Sequence, residues 1–211
     1  MTDRSRTEIT RLREKASGDR ALLDALLDAV PVGHFGLVDD AGGPVVIPTA
    51  IIRDGDRLLV HGSTGSPWMR RLADGAPTCL TVTAYDGLVI ARSAFESSIH
   101  YRSAVLFGSC VPVTGAAKDA ALDLVTDRLV PGRVAELRRP HKRELAATQV
   151  LQFPIVEWSL KISAGWPDDP PEDVAGDAWA GVVPRVITFG TPLPAPDLRA
   201  GIAVPESVRR L

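Results

Sequence analysis

Only two cysteines, Cys79 and Cys110, occur in 211 residues. They lie far apart inside apolar, strand-like stretches, with no CxxC pair and no histidine at zinc-finger spacing, which excludes a disulfide framework and a zinc finger and leaves buried free thiols. No apolar run approaches the ~18 residues needed to cross a bilayer, and the opening MTDRSRTEITRLREK lacks the apolar centre of a signal peptide. A cytoplasmic location and no membrane partner are therefore expected. Neither sign of charge dominates: 24 Lys and Arg stand against 26 Asp and Glu, interspersed, so there is no domain-wide basic field for nucleic acid. HExxH, GxSxG and the lysine of a P-loop are all missing, which argues against a zinc hydrolase, a serine acyl transferase and a nucleotide triphosphatase. The four histidines, His34, His61, His100 and His141, have no metal-site spacing, so no metal is expected.

The chain does carry 45% hydrophobic residues, enough for a full core in one globular domain with extensions. Residues 1–30 read as an N-terminal helical segment. Ile9 and Leu12 stand three apart, and Leu22, Leu23, Leu26 and Leu27 fall on one face of a second helix capped by Asp19 and stopped by Pro31. Over residues 31–165 the texture changes to β-branched runs, HFGLVDD, PVVIPTAIIRDGDRLLVHG and PTCLTVTAYDGLVIARSAF. These are divided by DDAGG, DGD and YDG, all turn chemistry. A further strand, HYRSAVLFGSCVPVTG, precedes a helix with Leu122, Val125 and Leu129 at helical spacing and a Pro-Gly stop. A basic stretch, RVAELRRPHKRELAAT, then leads to a last strand in VLQFPIVEWSLKIS. Residues 166–211 are rich in Pro and Asp and form an irregular C-terminal arm of a kind often ordered by packing on a partner subunit. The fold class is mainly β (α+β), a six-stranded antiparallel Greek-key barrel with flanking helices.

Two stretches could carry chemistry. HGSTGS, His61 to Ser66, is a strand running into a Gly/Ser/Thr turn and a helix, where unpaired N–H groups and hydroxyls would suit a phosphate. Ser66 followed by Pro67 is equally an ordinary N-cap and N1 pair. SSIHYRS sets Tyr101, Arg102 and Ser103 at the polar start of an apolar strand. Alternation places His100 and Arg102 on one face and Tyr101 and Ser103 on the other, and Arg102 could simply pair with an acid.

The order and spacing of GPVVIPTAIIRDGDRLLVHGSTGSPWMRRL and HYRSAVLFGSCVPV resemble the FMN-binding split-barrel family of pyridoxamine 5′-phosphate oxidase. The branch most similar is that of the nitroimidazole-resistance and flavin-nucleotide-binding proteins. The resemblance covers roughly Leu22 to Gly165, and more loosely WAGVVP. It implies a homodimer of split barrels with FMN in the cleft between subunits. Ile47, Pro48 and Thr49 would lie along the isoalloxazine ring through backbone atoms. His61, Gly62, Ser63, Thr64 and Ser66 would hold ribityl and phosphate. Tyr101, Arg102 and Ser103 would approach the flavin, in several members from the neighbouring protomer. Relatives have Ser-Arg-Lys or Ser-Arg where this chain has Ser66, Pro67 and Trp68, so a cation is missing from the phosphate, and Arg70 or, as assigned here, Arg71 would substitute. Trp68 either packs or stacks on a flat cofactor. The implied activity is a flavin-dependent oxidoreductase moving a hydride to or from a small organic substrate, the chemistry residing in the cofactor. The matching region lacks the C-terminal arginine-rich substrate motif of pyridoxamine phosphate oxidase itself. The alternatives are a flavin-binding module without turnover, a haem-binding relative with His61 or His100 as axial ligand, and a deazaflavin reductase.

Overall fold

The computed structural model describes residues 5–211. In chain order the elements are β1 (Ala16–Ser17), α1 (Arg20–Ala29), β2 (Val32–Val38), β3 (Pro44–Ala50), β4 (Ile52–Asp54), β5 (Arg57–Ser63), α2 (Pro67–Ala73) and β6 (Thr78–Ile90). They continue with β7 (Ser98–Gly108), β8 (Val111–Pro112), α3 (Gly115–Leu129), α4 (Lys142–Ala147), β9 (Thr148–Pro154), β10 (Glu157–Ser163), α5 (Pro171–Val174), β11 (Gly181–Pro184) and α6 (Glu206–Arg209). All pairing is antiparallel. One sheet runs β1-β10-β7-β6-β2-β3, with β11 also on β6, and a smaller one runs β4-β5-β9-β8.

The ribbons read from the sequence are present, but three of them change sheets. The run 44–54 bends at Ile51 from β3 in the large sheet into β4 in the small one, 98–112 passes from β7 in the large sheet to β8 in the small one, and 148–163 bends between β9 and β10. Strands that cross a corner close two sheets over one core, and these three crossings with the short added strands β1 and β11 give the described chain eleven strand segments rather than six. Phe35, Leu80, Leu106, Leu58, Val60 and Phe153 meet inside, closed at one end by Leu23, Leu26 and Leu27 of α1. The rings of Phe35 and Phe153 pack edge to face at 5.9 Å. A second cluster, Leu59, Val113, Ala121, Val125 and Val150, binds α3 to the outside of the small sheet.

Local chemistry explains most boundaries. Asp19 caps α1 by accepting the Ala21 N–H at 2.8 Å. Gly55 (φ 58°) turns the β4–β5 hairpin and Gly42 (φ 84°) the β2–β3 loop, where Asp39 accepts the Gly43 N–H at 2.7 Å. Two expectations fail. Residues 7–12 form no helix; only a 3-10 turn, Arg13–Lys15, precedes β1, because two apolar side chains bury too little to hold a helix in place. Residues 1–4 of the expected helical segment lie outside the described residues. The YDG sequence is no turn: β6 runs straight through it, and Asp86 is a bulge between the Tyr85↔Tyr101 and Gly87↔His100 pairs. Both cysteines are free; Cys110 is buried, which pushes its thiol up to about 12, whereas Cys79 is half-buried. No helix among the described residues is long and apolar enough to cross a membrane.

Candidate functional site

β3 lies at the end of the large sheet and pairs only with β2, leaving the backbone of its outer edge without a strand partner. Pro48, opposite His34, lacks an N–H, which a sheet edge tolerates. Val45 and Ile47 pack on the core; Thr49, opposite Gly33, is half-buried. β4 pairs with β5 as far as Ile52↔Leu59, and three residues on, at Thr49 and Gly62, the two ribbons have separated into different sheets. This split brings Ile47, Pro48 and Thr49 to the same corner as the turn at the end of β5.

In β5, His61, Gly62 and Ser63 lie opposite Val150, Gln149 and Thr148 of β9. Alternation sends His61 and Ser63 to the α3 side with Leu59, and Gly62 to the core side with Val60. A Cβ on Gly62 would stand 3.0 Å from Met69 Cγ, so the glycine allows α2 to pack closely. The turn uses its own donors. The Thr64 N–H and hydroxyl both donate to the Ala147 carbonyl (2.9 and 3.3 Å), the Gly65 N–H to Ser63 Oγ (3.1 Å), and the Ser66 N–H to the Ser63 carbonyl (3.0 Å). The expectation of unpaired turn N–H groups is therefore corrected: tight turns satisfy their backbone internally. The Ser66 hydroxyl stays uncommitted, since Ser66 occupies the N-cap position with Pro67 at N1 but makes no capping hydrogen bond.

The two arginines after Trp68 diverge because successive helical residues point about 100° apart. Arg71 pairs with Asp40 of the β2–β3 loop. Arg70 reaches back and donates to the Gly65 carbonyl at 3.2 Å. Arg70 is thus the arginine that reaches the turn, while Arg71 is directed to the β2–β3 loop. Arg71 instead walls a cleft of 260 Å³ with Pro67, Trp68, Leu37, Asp39 and Val45. Trp68 packs against the core and also lines this cleft.

Tyr101, Arg102 and Ser103 lie in β7 opposite Tyr85, Ala84 and Thr83. Arg102 holds the bulge residue Asp86 through two hydrogen bonds of 2.8 Å. The Arg102 guanidinium, with His100 and Arg185 beside it, holds the Asp86 carboxyl below its usual range. Arg185 of the C-terminal arm donates its N–H to the Asp86 carbonyl at 2.8 Å and stacks on Tyr85 at 5.4 Å. In sheet order β7 is three strands from β3, roughly 14 Å at 4.8 Å per strand. One chain therefore gathers the IPT and HGSTGS residues but keeps the YRS residues apart. Arg102 does pair with an acid, as its plainer reading had it, but the sequence did not name Asp86 because the bulge that aims it reads as a turn.

Of the histidines, His100 Nε2 lies 2.7 Å from the Gly165 carbonyl and His141 caps α4, its backbone N–H bonded to Glu144. His61 is half-buried, and no hydrogen bond engages its ring among the described residues.

The family model described as pyridoxamine 5′-phosphate oxidase matches residues 19–162. The FAD and haem binding protein from Mycobacterium smegmatis is 54% identical, with 93% of this chain and 96% of that one covered and a TM-score of 0.89. The flavocytochrome Anf3 from Azotobacter vinelandii is 36% identical, with 98% and 96% covered and a TM-score of 0.90. A Bacteroides thetaiotaomicron protein assigned to 5-nitroimidazole antibiotic resistance, 17% identical over 70% of this chain and 86% of that one, shares the fold at a TM-score of 0.60. The comparison with curated proteins gave no match. The split between β3 and β5, the turn into α2 and a family match across more than half of the sequence agree: the chain belongs to the pyridoxamine 5′-phosphate oxidase family of flavin-binding split-barrel proteins.

Proposed function

We propose that this protein binds FAD and haem and is an oxidoreductase of the flavocytochrome kind, with its cofactors at the junction of two copies. The observation that carries the reading is the end-to-end similarity to the FAD and haem binding protein, arm included. It replaces FMN with the dinucleotide, while the small organic substrate expected from the family stays open.

The residues fit a flavin. The outer edge of β3 at Ile47, Pro48 and Thr49 offers backbone groups to a flat heterocycle, and the Ser66 hydroxyl and Arg70 offer a donor and a cation to phosphate. They also offer haem a ligand, since an axial position requires a ring nitrogen that is free to face the iron. His61 meets that condition better than His100, which is tied to Gly165. The flavin supplies two-electron and one-electron chemistry and the haem iron one-electron chemistry. The chain's part is to orient both groups and exclude water. Because Tyr101 and Ser103 stand three strands from β3, a site that uses them draws them from a second copy.

Absorption spectroscopy of the purified protein with mass analysis of the released cofactor tests this reading. A Soret band with flavin absorbance, and release of FAD, are expected. His61→Ala is expected to lose the Soret band and keep the flavin. A protein that takes up neither FAD nor haem at micromolar concentration overturns the proposal.

A further inference from the structure

The first turn of α2 offers a ligand something other than charge. After Ser66 come Pro67 and Trp68, neither of which can hold a phosphate by charge, and the half-buried Trp68 lines a cleft of 260 Å³. The opposite wall is the end of the β2–β3 hairpin, where Leu37 stands across from Val45. Val45 precedes Ile47 on the same face of β3, about 7 Å along the strand, and Trp68 follows Ser66 by two residues. The cleft therefore adjoins the corner of the IPT and HGSTGS residues through both of its walls. Its volume is below the roughly 300–1,000 Å³ of a pocket that takes a whole small molecule, so it suits one ring system of a larger ligand.

The polar groups of the cleft are selective. Arg71 is neutralised by Asp40, so the cleft has no uncommitted cation among the described residues. Asp39 spends its Oδ1 on the Ala41 and Gly43 N–H groups, at 2.9 and 2.7 Å, and its Oδ2 has no hydrogen-bond partner among the described residues. An aromatic face beside carboxylate acceptors, with no free donor, suits a neutral flat group that itself donates hydrogen bonds, and the two carboxylates repel phosphate. We infer that this cleft is a nucleoside subsite, in which Trp68 stacks the adenine of a dinucleotide flavin and the Asp39 carboxylate accepts from the adenine amine or the ribose hydroxyls. The inference rests on the flavin reading above and deepens it: the flavin ring and phosphates belong to the β3 edge and to Ser66 and Arg70, and the nucleoside continues past them. From Thr49 to Val45 is roughly 13 Å of strand, a length that a dinucleotide can follow and that a mononucleotide, which ends at its phosphate, leaves uncovered. Trp68 is thereby the residue that selects FAD over FMN, because stacking on an aromatic side chain binds a base without charge.

Fluorescence titration of the full-length protein, freed of bound flavin by dialysis against potassium bromide, is the test, with FAD, FMN and adenosine 5′-monophosphate as probes. The wild type is expected to bind FAD at least tenfold more tightly than FMN. Trp68→Ala is expected to weaken FAD binding about tenfold to a hundredfold, the worth of one stacked base, and FMN binding less than threefold, so that the preference disappears. Because Trp68 also packs on the core, Trp68→Phe, which keeps that packing, carries a second readout. Adenosine 5′-monophosphate is expected to quench tryptophan emission in the wild type and to leave it unchanged in Trp68→Phe. FMN bound as tightly as FAD by the wild type, a preference that Trp68→Ala leaves intact, or a quench that persists in Trp68→Phe overturns the inference and leaves the flavin reading standing. A protein that takes up no flavin but binds adenosine 5′-monophosphate through Trp68 sinks the flavin reading and leaves this one; a protein that binds none of the three overturns both.

Discussion

Gly87→Ala is a test of how the arm is latched to the barrel. Gly87 has no positive φ that would demand glycine; what it lacks is room. A Cβ there would lie 2.6 Å from the Val183 carbonyl oxygen and 3.1 Å from Pro184 Cα. Both are backbone atoms and cannot swing aside like a side-chain tip, so the strain must move a whole strand. Shifting β6 would disturb β7, with which it pairs along most of its length, whereas β11 is four residues long and pairs only with β6. The cheaper relief is for β11 to lift. That forfeits two or three ladder hydrogen bonds and the Arg185 N–H to Asp86 carbonyl bond, each worth roughly 0.5–1.5 kcal/mol net, about 2–4 kcal/mol together. Forcing the methyl in against an intact strand costs roughly the same, about 1–3 kcal/mol. Native-state hydrogen exchange separates the two outcomes. If the latch opens, Gly181, Val183 and Arg185, whose N–H groups face β6, lose about 2–4 kcal/mol of protection while Leu80, Val82 and Leu106 in the barrel keep theirs within about 0.5 kcal/mol. Uniform loss across the barrel, or unchanged protection of β11, would refute this reasoning.

Other perturbations have equally definite outcomes. Arg70→Ala is expected to weaken FAD binding about tenfold to a hundredfold in a fluorescence titration, the worth of one charge-assisted hydrogen bond, whereas Arg71→Ala changes it less than threefold because Arg71 serves Asp40. Asp86 has a folded pKa held below its usual value by Arg102, so their pair stabilises the protein above about pH 4 and the contribution fades as pH falls through that depressed pKa. Arg102→Gln should therefore cost about 1 kcal/mol at pH 7, small because the pair is partly exposed, and progressively less as pH is lowered below about 4 in urea unfolding. Asp169, 1% exposed, accepts from the Arg92 N–H at 2.8 Å and its guanidinium at 2.9 Å. Asp169→Ala leaves a part-buried cation whose buried Nε already lacks a partner, and a loss of roughly 2 kcal/mol, or about 4–8 °C in Tm, is expected by calorimetry.

Much of this protein was legible one residue at a time. Alternation located the strands, Asp19 and Gly55 their punctuation, and the order of the IPT, HGSTGS and YRS motifs the family, because these depend on neighbours within a few positions. The direction of a side chain was legible only where its element is regular. The YDG sequence has the composition of a turn, yet β7 on one side and β11 on the other hold it extended as a bulge, and that bulge is what gives Arg102 its acid. Choosing between Arg70 and Arg71 required the helix phase and the position of Asp40 in a loop thirty-one residues away. Likewise, the turn's N–H groups look available until the Ala147 carbonyl, at the start of the neighbouring strand β9 and eighty-three residues away in the chain, is placed against Thr64.

By itself, then, the sequence determined where most strands and hairpin turns lie, which apolar residues form the core, and the family, since local propensity and burial act through short-range pattern. Only the tertiary structure decided that the IPT and HGSTGS residues share a corner from which YRS is excluded. It also decided that the arm is latched to β6 by β11, beside Gly87. Strand order and the switch between sheets set those distances, and long-range pairing leaves no periodic trace in the chain.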